Sequence, residues 1–499
     1  MARNPIFFPS GYSSRFPKCA PLFFLFCAMG LAIGCNSLSV PEDPEQTAAP
    51  RPNIIYIMAD DLGYGDLGCY GQAHFETPHL DKMATDGLIF TRHYAGSTVC
   101  APSRSSLMTG MHTGHTYIRG NKEWKPEGQH PIADSVETVA EYLQKAGYVT
   151  GAMGKWGLGG PDTEGVPHLQ GFDKFYGYNC QREAHYFYPQ HLWNNEQKVM
   201  LAANAEGAKE VYSQDLILAE SLSFIQENKD TSFFLYLPYT IPHASMELPE
   251  EELTPFIGKY SETAHPEGRH YSAQAHPKAA FAAMVTRLDR DIGKVLDMLE
   301  DLGLAENTLV LFTSDNGPHQ EGGHDPTFFN SAGNLRGIKR DLYEGGIRVP
   351  MIAHWKGTIL PGRTTDHVSA FWDFLPTACE LVGTEVPSGI DGISYLPTLL
   401  DSSQKEHEYL YWEFHERGGK QAVLKGNWKG IRLKVNEDPY GPMELYDLSQ
   451  DPVEEHNIAE EHPEVIAEMA AIMEDAHQPS SIFLFGEERE EDSQNSGEK

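Results

Sequence analysis

Residues Asn53–Met58 read Asn-Ile-Ile-Tyr-Ile-Met, a short β-branched apolar run with no polar alternation. A strand that shows no polar face is covered on both sides, and such strands belong to parallel sheets layered with helices. Tyr148–Met153, Ser232–Leu237 and Thr308–Phe312 read as further strands. Between them lie helical patterns. Asp134-x-x-Glu137 reads as a helix start, with Val136, Val139, Ala140 and Leu143 on one face and Gly147 as the stop. Phe281, Met284, Val285, Leu288, Ile292, Val295, Leu296 and Leu299 keep one apolar stripe along a long helix. This alternation over about 300 residues predicts an α/β fold: a large, mostly parallel sheet with helices on both faces.

The pattern changes near residue 405. Tyr409–Phe414, Gln421–Lys425, Trp428–Leu433 and Glu444–Leu448 read as short strands, with Gly426-Asn427 as a tight hairpin turn. Pro463–His477 reads as a closing helix. A smaller C-terminal antiparallel sheet with one helix is therefore expected. The chain divides into residues 1–34, a linker at 35–50, a main α/β domain at 51–404, a C-terminal subdomain at 405–484 and a charged tail at 485–499.

Residues 1–34 carry Arg3, Arg15 and Lys18, no acid, and the apolar run Ala20–Ile33, which is too short to span a bilayer. They read as a signal peptide. Leu31-Ala32-Ile33-Gly34-Cys35 resembles a bacterial lipobox, so export and a lipid anchor at Cys35 are expected, at the periplasm or cell surface. The seven cysteines form no CxxC pair, which argues against a disulfide scaffold or zinc ribbon. With 38 Lys and Arg against 71 acids the net charge is −33. That balance argues against a nucleic-acid backbone or an anionic membrane surface as partner, and an anionic substrate would need a local cluster of cations.

In open parallel sheets ligands bind beyond the carboxyl ends of the strands. The four strands of the first domain are followed by Asp60-Asp61, Lys155, Pro242-His243 and Asp315-Asn316-Gly317. Asp60, Asp61, Asp315 and Asn316 offer hard oxygens, which suit Ca²⁺ or Mg²⁺ rather than zinc. Acid pairs after strands also cap helices and shape turns, but two pairs at one sheet edge favour a metal site. In Cys100-Ala101-Pro102-Ser103-Arg104-Ser105-Ser106-Leu107-Met108-Thr109-Gly110, Pro102 and Gly110 frame a short helix with Cys100 at its positive N-terminus.

Cys100-x-Pro102-Ser103-Arg104 followed by Leu107-Met108-Thr109-Gly110 resembles the signature of the type I sulfatases, arylsulfatase-like members of the alkaline-phosphatase superfamily. The resemblance runs from about Arg51 to about His477. It includes Asn53–Gly65, Tyr148–Gly159 (the family's GKWHLG region), Phe312–Gly317 and Gly345-Gly346-Ile347-Arg348-Val349-Pro350. Leu445-Tyr446-Asp447-Leu448, Asp451-Pro452 and Asn457 match the family ending.

The resemblance implies that a maturase converts Cys100 to Cα-formylglycine, whose hydrate attacks sulfur and expels the substrate alcohol. It implies one calcium ligated by Asp60, Asp61, Asp315, Asn316 and the residue 100 oxygen. Arg104 would hold the hydrate, Lys155 and Lys339 would clamp the sulfate, and His243 would protonate the leaving oxygen. The family often has His where this chain has Gly157. Either another residue takes that role, with His115 as the candidate, or the site is impaired. Arg182, His185, Tyr186, Tyr188, Trp412 and His415 lie outside the core motifs, and His185, Tyr188 and His415 are expected to contact substrate. The expected substrate is a sulfated saccharide. The competing readings are a formylglycine-dependent phosphate or phosphonate ester hydrolase, and a non-catalytic glycan-binding lipoprotein.

Overall fold

The computed structural model describes residues 51–489 apart from Arg269. The expected signal peptide, the linker and Cys35 lie outside the described residues. In chain order the strands are β1 (Asn53–Ala59), β2 (Leu88–Tyr94), β3 (Val149–Lys155), β4 (Lys174–Tyr178) and β5 (His191–Asn194). They continue with β6 (Gln197–Met200), β7 (Phe233–Pro238), β8 (Thr308–Ser314), β9 (Arg348–His354), β10 (Arg363–Thr365) and β11 (Ser369–Ala370). These form one 11-stranded sheet in the order β10-β2-β9-β8-β1-β7-β3-β4-β5-β6, with β11 beside β2. The central block β8-β1-β7-β3-β4 is parallel throughout. β9 runs antiparallel to both β8 and β2, and β5 and β6 continue antiparallel beyond β4.

Successive side chains of β1 feed opposite cores, which is why the run shows no polar face. Ile55, Ile57 and Ala59 pack with residues of helices Pro78–Thr85, Ser213–Glu227 and Pro277–Asp301. Ile54, Tyr56 and Met58 pack with helices Cys100–Thr109, Val139–Lys145 and Phe374–Val382. Burying each large apolar side chain contributes roughly 1.5–3 kcal/mol, so β1 is the anchor of both layers.

The helix expected from Asp134 starts later. Thr138 is the N-cap: its side chain accepts from Glu141 N, while Glu141 returns a bond to Thr138 N. That reciprocal pair satisfies two otherwise unpaired donors, which Asp134 and Glu137 do not.

The second sheet holds four antiparallel strands, β12 (Leu410–Phe414), β13 (Lys420–Lys425), β14 (Trp428–Leu433) and β15 (Met443–Asp447), in that order. Lys425 pairs with Trp428 across Gly426-Asn427, and Gly426 takes the left-handed φ of 60° that the turn requires. Helix Pro463–Asp475 covers one face through Met469 and Met473. The start of the expected tail is ordered into this body. Phe485 is buried, and Glu488 accepts from Phe485 N at 3.0 Å.

Candidate active site

The residues after β1 and β8 are held side by side. Asp315 N donates to Ala59 O at 3.1 Å, and Asp61 N donates to Asp315 Oδ1 at 3.1 Å. Helix Cys100–Thr109 begins directly at Cys100, where Ala101 N donates to Asn121 Oδ1 at 3.0 Å. It ends at Gly110, whose φ of 70° gives a left-handed cap. Lys155 closes β3, and His243 follows the loop after β7, flanked by cis peptides at Ile241–Pro242 and Ala244–Ser245.

These segments bring the predicted cluster together. Cys100 Sγ lies 3.5 Å from Asp60 Oδ1 and 3.3 Å from Lys155 Nζ. Lys155 Nζ donates to Asp60 Oδ2 at 2.6 Å, and Lys339 Nζ donates to Asp61 Oδ2 at 2.6 Å. Arg104 donates to Asp315 Oδ2 at 2.8 Å and to the Lys155 carbonyl. Asn316 Nδ2 donates to Asp61 Oδ1 at 2.7 Å. One ligand atom from each of Asp60, Asp61, Cys100 and Asp315 lies within 4.8 Å of the others. Asn316 Oδ1 is buried without a hydrogen-bond partner. Crowded anionic oxygens and an unmatched amide oxygen are the donor set of a hard divalent cation, so the residues fit one.

The electrostatics fit a cation site too. Burial pushes the Asp60 carboxyl up to about 7, against the pull of Lys155 and with the push of Asp315 and Asp61. Burial opposes ionisation of Asp61 as well, but Lys339 and His319 outweigh it and hold this carboxyl well below its usual range. Burial raises the Cys100 thiol, and Asp315 and Asp60 add to that. An unmodified thiol here is a poor nucleophile, because the thiolate is the reactive form.

Burial, then Lys339 and Lys155, push His243 well below the ordinary imidazole range. Its Nδ1–H donates to the Ala244 carbonyl, which leaves Nε2 to accept from Lys339 Nζ at 3.2 Å. Asp61 Oδ2 lies 3.3 Å from the same Nε2, so the ring faces a carboxylate as well as an ammonium.

Three neighbours escaped the sequence reading. Glu321 lies 3.3 Å from Lys339 Nζ and also pairs with Arg340. His319 stacks on His243 at 5.7 Å, its Nδ1 accepting from Glu321 N at 3.0 Å. Both follow Asp315-Asn316-Gly317 closely enough that the same loop could have flagged them. Tyr271, from the segment between β7 and helix Pro277–Asp301, packs on His185 at 5.3 Å, so that segment reaches the site.

Of the expected substrate contacts only His185 is brought to the cluster, its ring stacked on His243 at 4.7 Å. Tyr188 packs on Tyr212 and lies under Lys209. His415 bonds Glu413 at 3.0 Å and packs on Phe485. Trp412 is fully buried and donates to the Ala95 carbonyl. Arg182 is turned to Glu123 and the Pro126 carbonyl, and Tyr186 is exposed. His115 does not replace the side chain missing at Gly157. It bonds Asp391 at 2.9 Å, stacks on His112, and lines a cavity with Thr109, at the opposite end of the helix from Cys100.

Oxygen ligands ringed by lysines at the rim of a parallel sheet define a hydrolase for anionic esters. The sulfatase family model matches residues 52–384, and the model for the C-terminal part of N-sulphoglucosamine sulphohydrolase matches residues 338–478. N-acetylgalactosamine-6-O-sulfatase of Bacteroides thetaiotaomicron is 30% identical, covering 90% of this chain and 97% of the relative. Human arylsulfatase A is 32% identical, covering 88% and 90%. The crystal structure of Ps i-CgsB in complex with k-i-k-neocarrahexaose superposes with a TM-score of 0.73 at 26% identity, covering 87% of this chain and 95% of that one. The chain belongs to the sulfatase family. It is a sulfuric ester hydrolase.

Proposed function

We propose that this sulfatase removes sulfate from a sulfated saccharide, using a formylglycine made from Cys100 by a maturase and one bound calcium. The observation that carries the reading is Cys100 itself: a buried thiol held against Asp60 and Lys155 at a helix start. Asp60, Asp61, Asp315 and Asn316 would hold the calcium. When bound, the metal and the hydrated aldehyde supply a polarised sulfate oxygen and an attacking hydroxyl.

The chain's own residues do the rest. Lys155 and Lys339 stay charged, because Asp60 and Asp61 overcome the effect of their burial, and they hold the sulfate oxygens. Arg104 fixes the Asp315 carboxylate and the Lys155 backbone. His243, in its imidazolium form, would give its Nε2 proton to the leaving oxygen and end the step as the neutral ring. His185 and Tyr271, packed on one another beside His243, would border the sugar that carries the sulfate. The saccharide reading is supported by the relative acting on N-acetylgalactosamine sulfate and by the neighbour bound to neocarrahexaose. Export and a lipid anchor at Cys35 rest on residues 1–35.

The test is a screen of maturase-co-expressed, calcium-loaded protein against defined sulfated mono- and oligosaccharides, with 4-nitrophenyl sulfate and phosphate as controls. Sulfate release from a sugar supports the reading. Preferential phosphate turnover, or binding without turnover, overturns it.

A further inference from the structure

Gly157 and Gln181 fit each other. Lys155 closes β3 opposite Tyr178 of β4, and beyond the strand ends Gly157 N still donates to Asn179 O at 3.3 Å. Both chains therefore run on together past the rim that carries the cluster. Gly157 has a φ of +82°, and a Cβ built on it would stand 2.7 Å from Gln181 Nε2. The missing side chain makes room for the Gln181 carboxamide.

That carboxamide is unfinished. Gln181 is only 6% exposed, its backbone N–H donates to Gln129 Oε1 at 2.8 Å, and its Nε2 has no partner. A buried amide donor left unpaired is costly, and it is retained where the group has a ligand to meet. Four residues on, the same loop delivers His185 to the face of His243, and His185 feels the charges of Lys155 and Lys339. The loop after β4 is thus part of the site's wall.

We propose that Gln181 is a further substrate-contacting residue, whose side-chain amide donates to an oxygen of the bound sulfate group. The role rests on the sulfatase reading. It uses the space that Gly157 leaves, and it assigns to the loop after β4 the position that no side chain at 157 fills. A neutral donor adds a hydrogen bond to an anion without another buried charge.

The test uses matured, calcium-loaded protein carrying Gln181→Ala or Gln181→Glu, with three readouts: the kcat/KM for 4-nitrophenyl sulfate, the Kd for inorganic sulfate, and Tm. Gln181→Ala should lower kcat/KM and sulfate affinity by about 10- to 100-fold, the worth of a hydrogen bond to a charged group. Gln181→Glu keeps the shape but faces the anion with a carboxylate, so its loss should be larger. Formylglycine content at position 100 and Tm should match the wild type in both. Gln181→Ala with unchanged sulfate affinity, or Gln181→Glu no worse than Gln181→Ala, overturns the proposal. A wild type that turns over no sulfate ester would sink the sulfatase reading instead. In that case the sulfate-binding comparison alone decides on Gln181.

Discussion

Arg104 Nη2 stands 2.8 Å from Asp315 Oδ2, with both side chains shut off from solvent. Arg104 sits one turn after Cys100 on the same helix face, and Asp315 is the first residue after β8. One ion pair therefore locks the start of the Cys100 helix to the end of a central strand. Removing either partner strands a buried charge, which typically costs about 3–5 kcal/mol.

Peptide mass spectrometry of active protein should find an aldehyde at position 100 rather than a thiol. Cys100→Ala should lose turnover with an unchanged Tm, since one small side chain at a helix start carries little core volume. Full activity with an unmodified thiol would end the formylglycine assignment.

For the metal, Asp315→Asn is more informative than Asp315→Ala because it keeps the volume beside Arg104. Losing even an outer partner of a metal ligand costs 10–100-fold in affinity, so calcium binding should weaken by at least about 10-fold. Calorimetry with calcium measures it. Zinc restoring EDTA-treated wild type where calcium does not would contradict the oxygen-ligand site.

A sugar alkoxide needs a proton to leave, whereas a nitrophenolate does not. His243→Ala should therefore lower kcat/KM for a sulfated sugar by about 10²–10⁴-fold, and much less for 4-nitrophenyl sulfate. Lys155→Ala should depress both alike, because it serves the sulfate. Equal losses for His243→Ala on the two substrates would remove it as the acid.

His477 gives the C-terminal sheet a pH dependence. Its Nδ1 lies 2.6 Å from Glu413 Oε1 and its Nε2 3.5 Å from Glu488. Burial and Arg119 oppose its charge, but Glu413 and Glu488 prevail and raise its pKa above the ordinary value. The folded state thus binds this proton more tightly than the unfolded chain. The stabilisation is complete below about pH 6.5 and is lost as pH rises through the folded value. His477→Gln should lower Tm by a few degrees near pH 5.5 and by less at pH 9. Equal deficits at both would show that the charge contributes nothing.

The central strands and their terminal acids were legible because a strand buried on both faces has no alternation, and chemistry gathers where such strands stop. Asp60, Asp315, Lys155 and His243 were found that way. His115 lies 15 residues past Cys100 in the chain, but its partner Asp391 arrives from another loop entirely. His415 and Trp412 resemble sugar-binding residues in composition. Glu413, a buried acid in β12, claims the histidine, and the Ala95 carbonyl claims the indole. Gln181 left no trace in the sequence, because an amide is noticed only once its missing partner is seen.

The pairing of β1 with β8 also sets a clock. Asn53 bonds Thr308 across 255 residues of chain. At about 5–20 residues per second, synthesis of that interval lasts on the order of 10–50 s. Until it ends, the strand bearing Asp60 and Asp61 has no β8 neighbour, and no Asp315 is present to meet Arg104. Cys100, 2% exposed once the fold closes, is made 208 residues ahead of Thr308, about 10–40 s before β8 begins. The conversion proposed for Cys100 would have its opportunity in those seconds, on a chain that has not yet become a hydrolase.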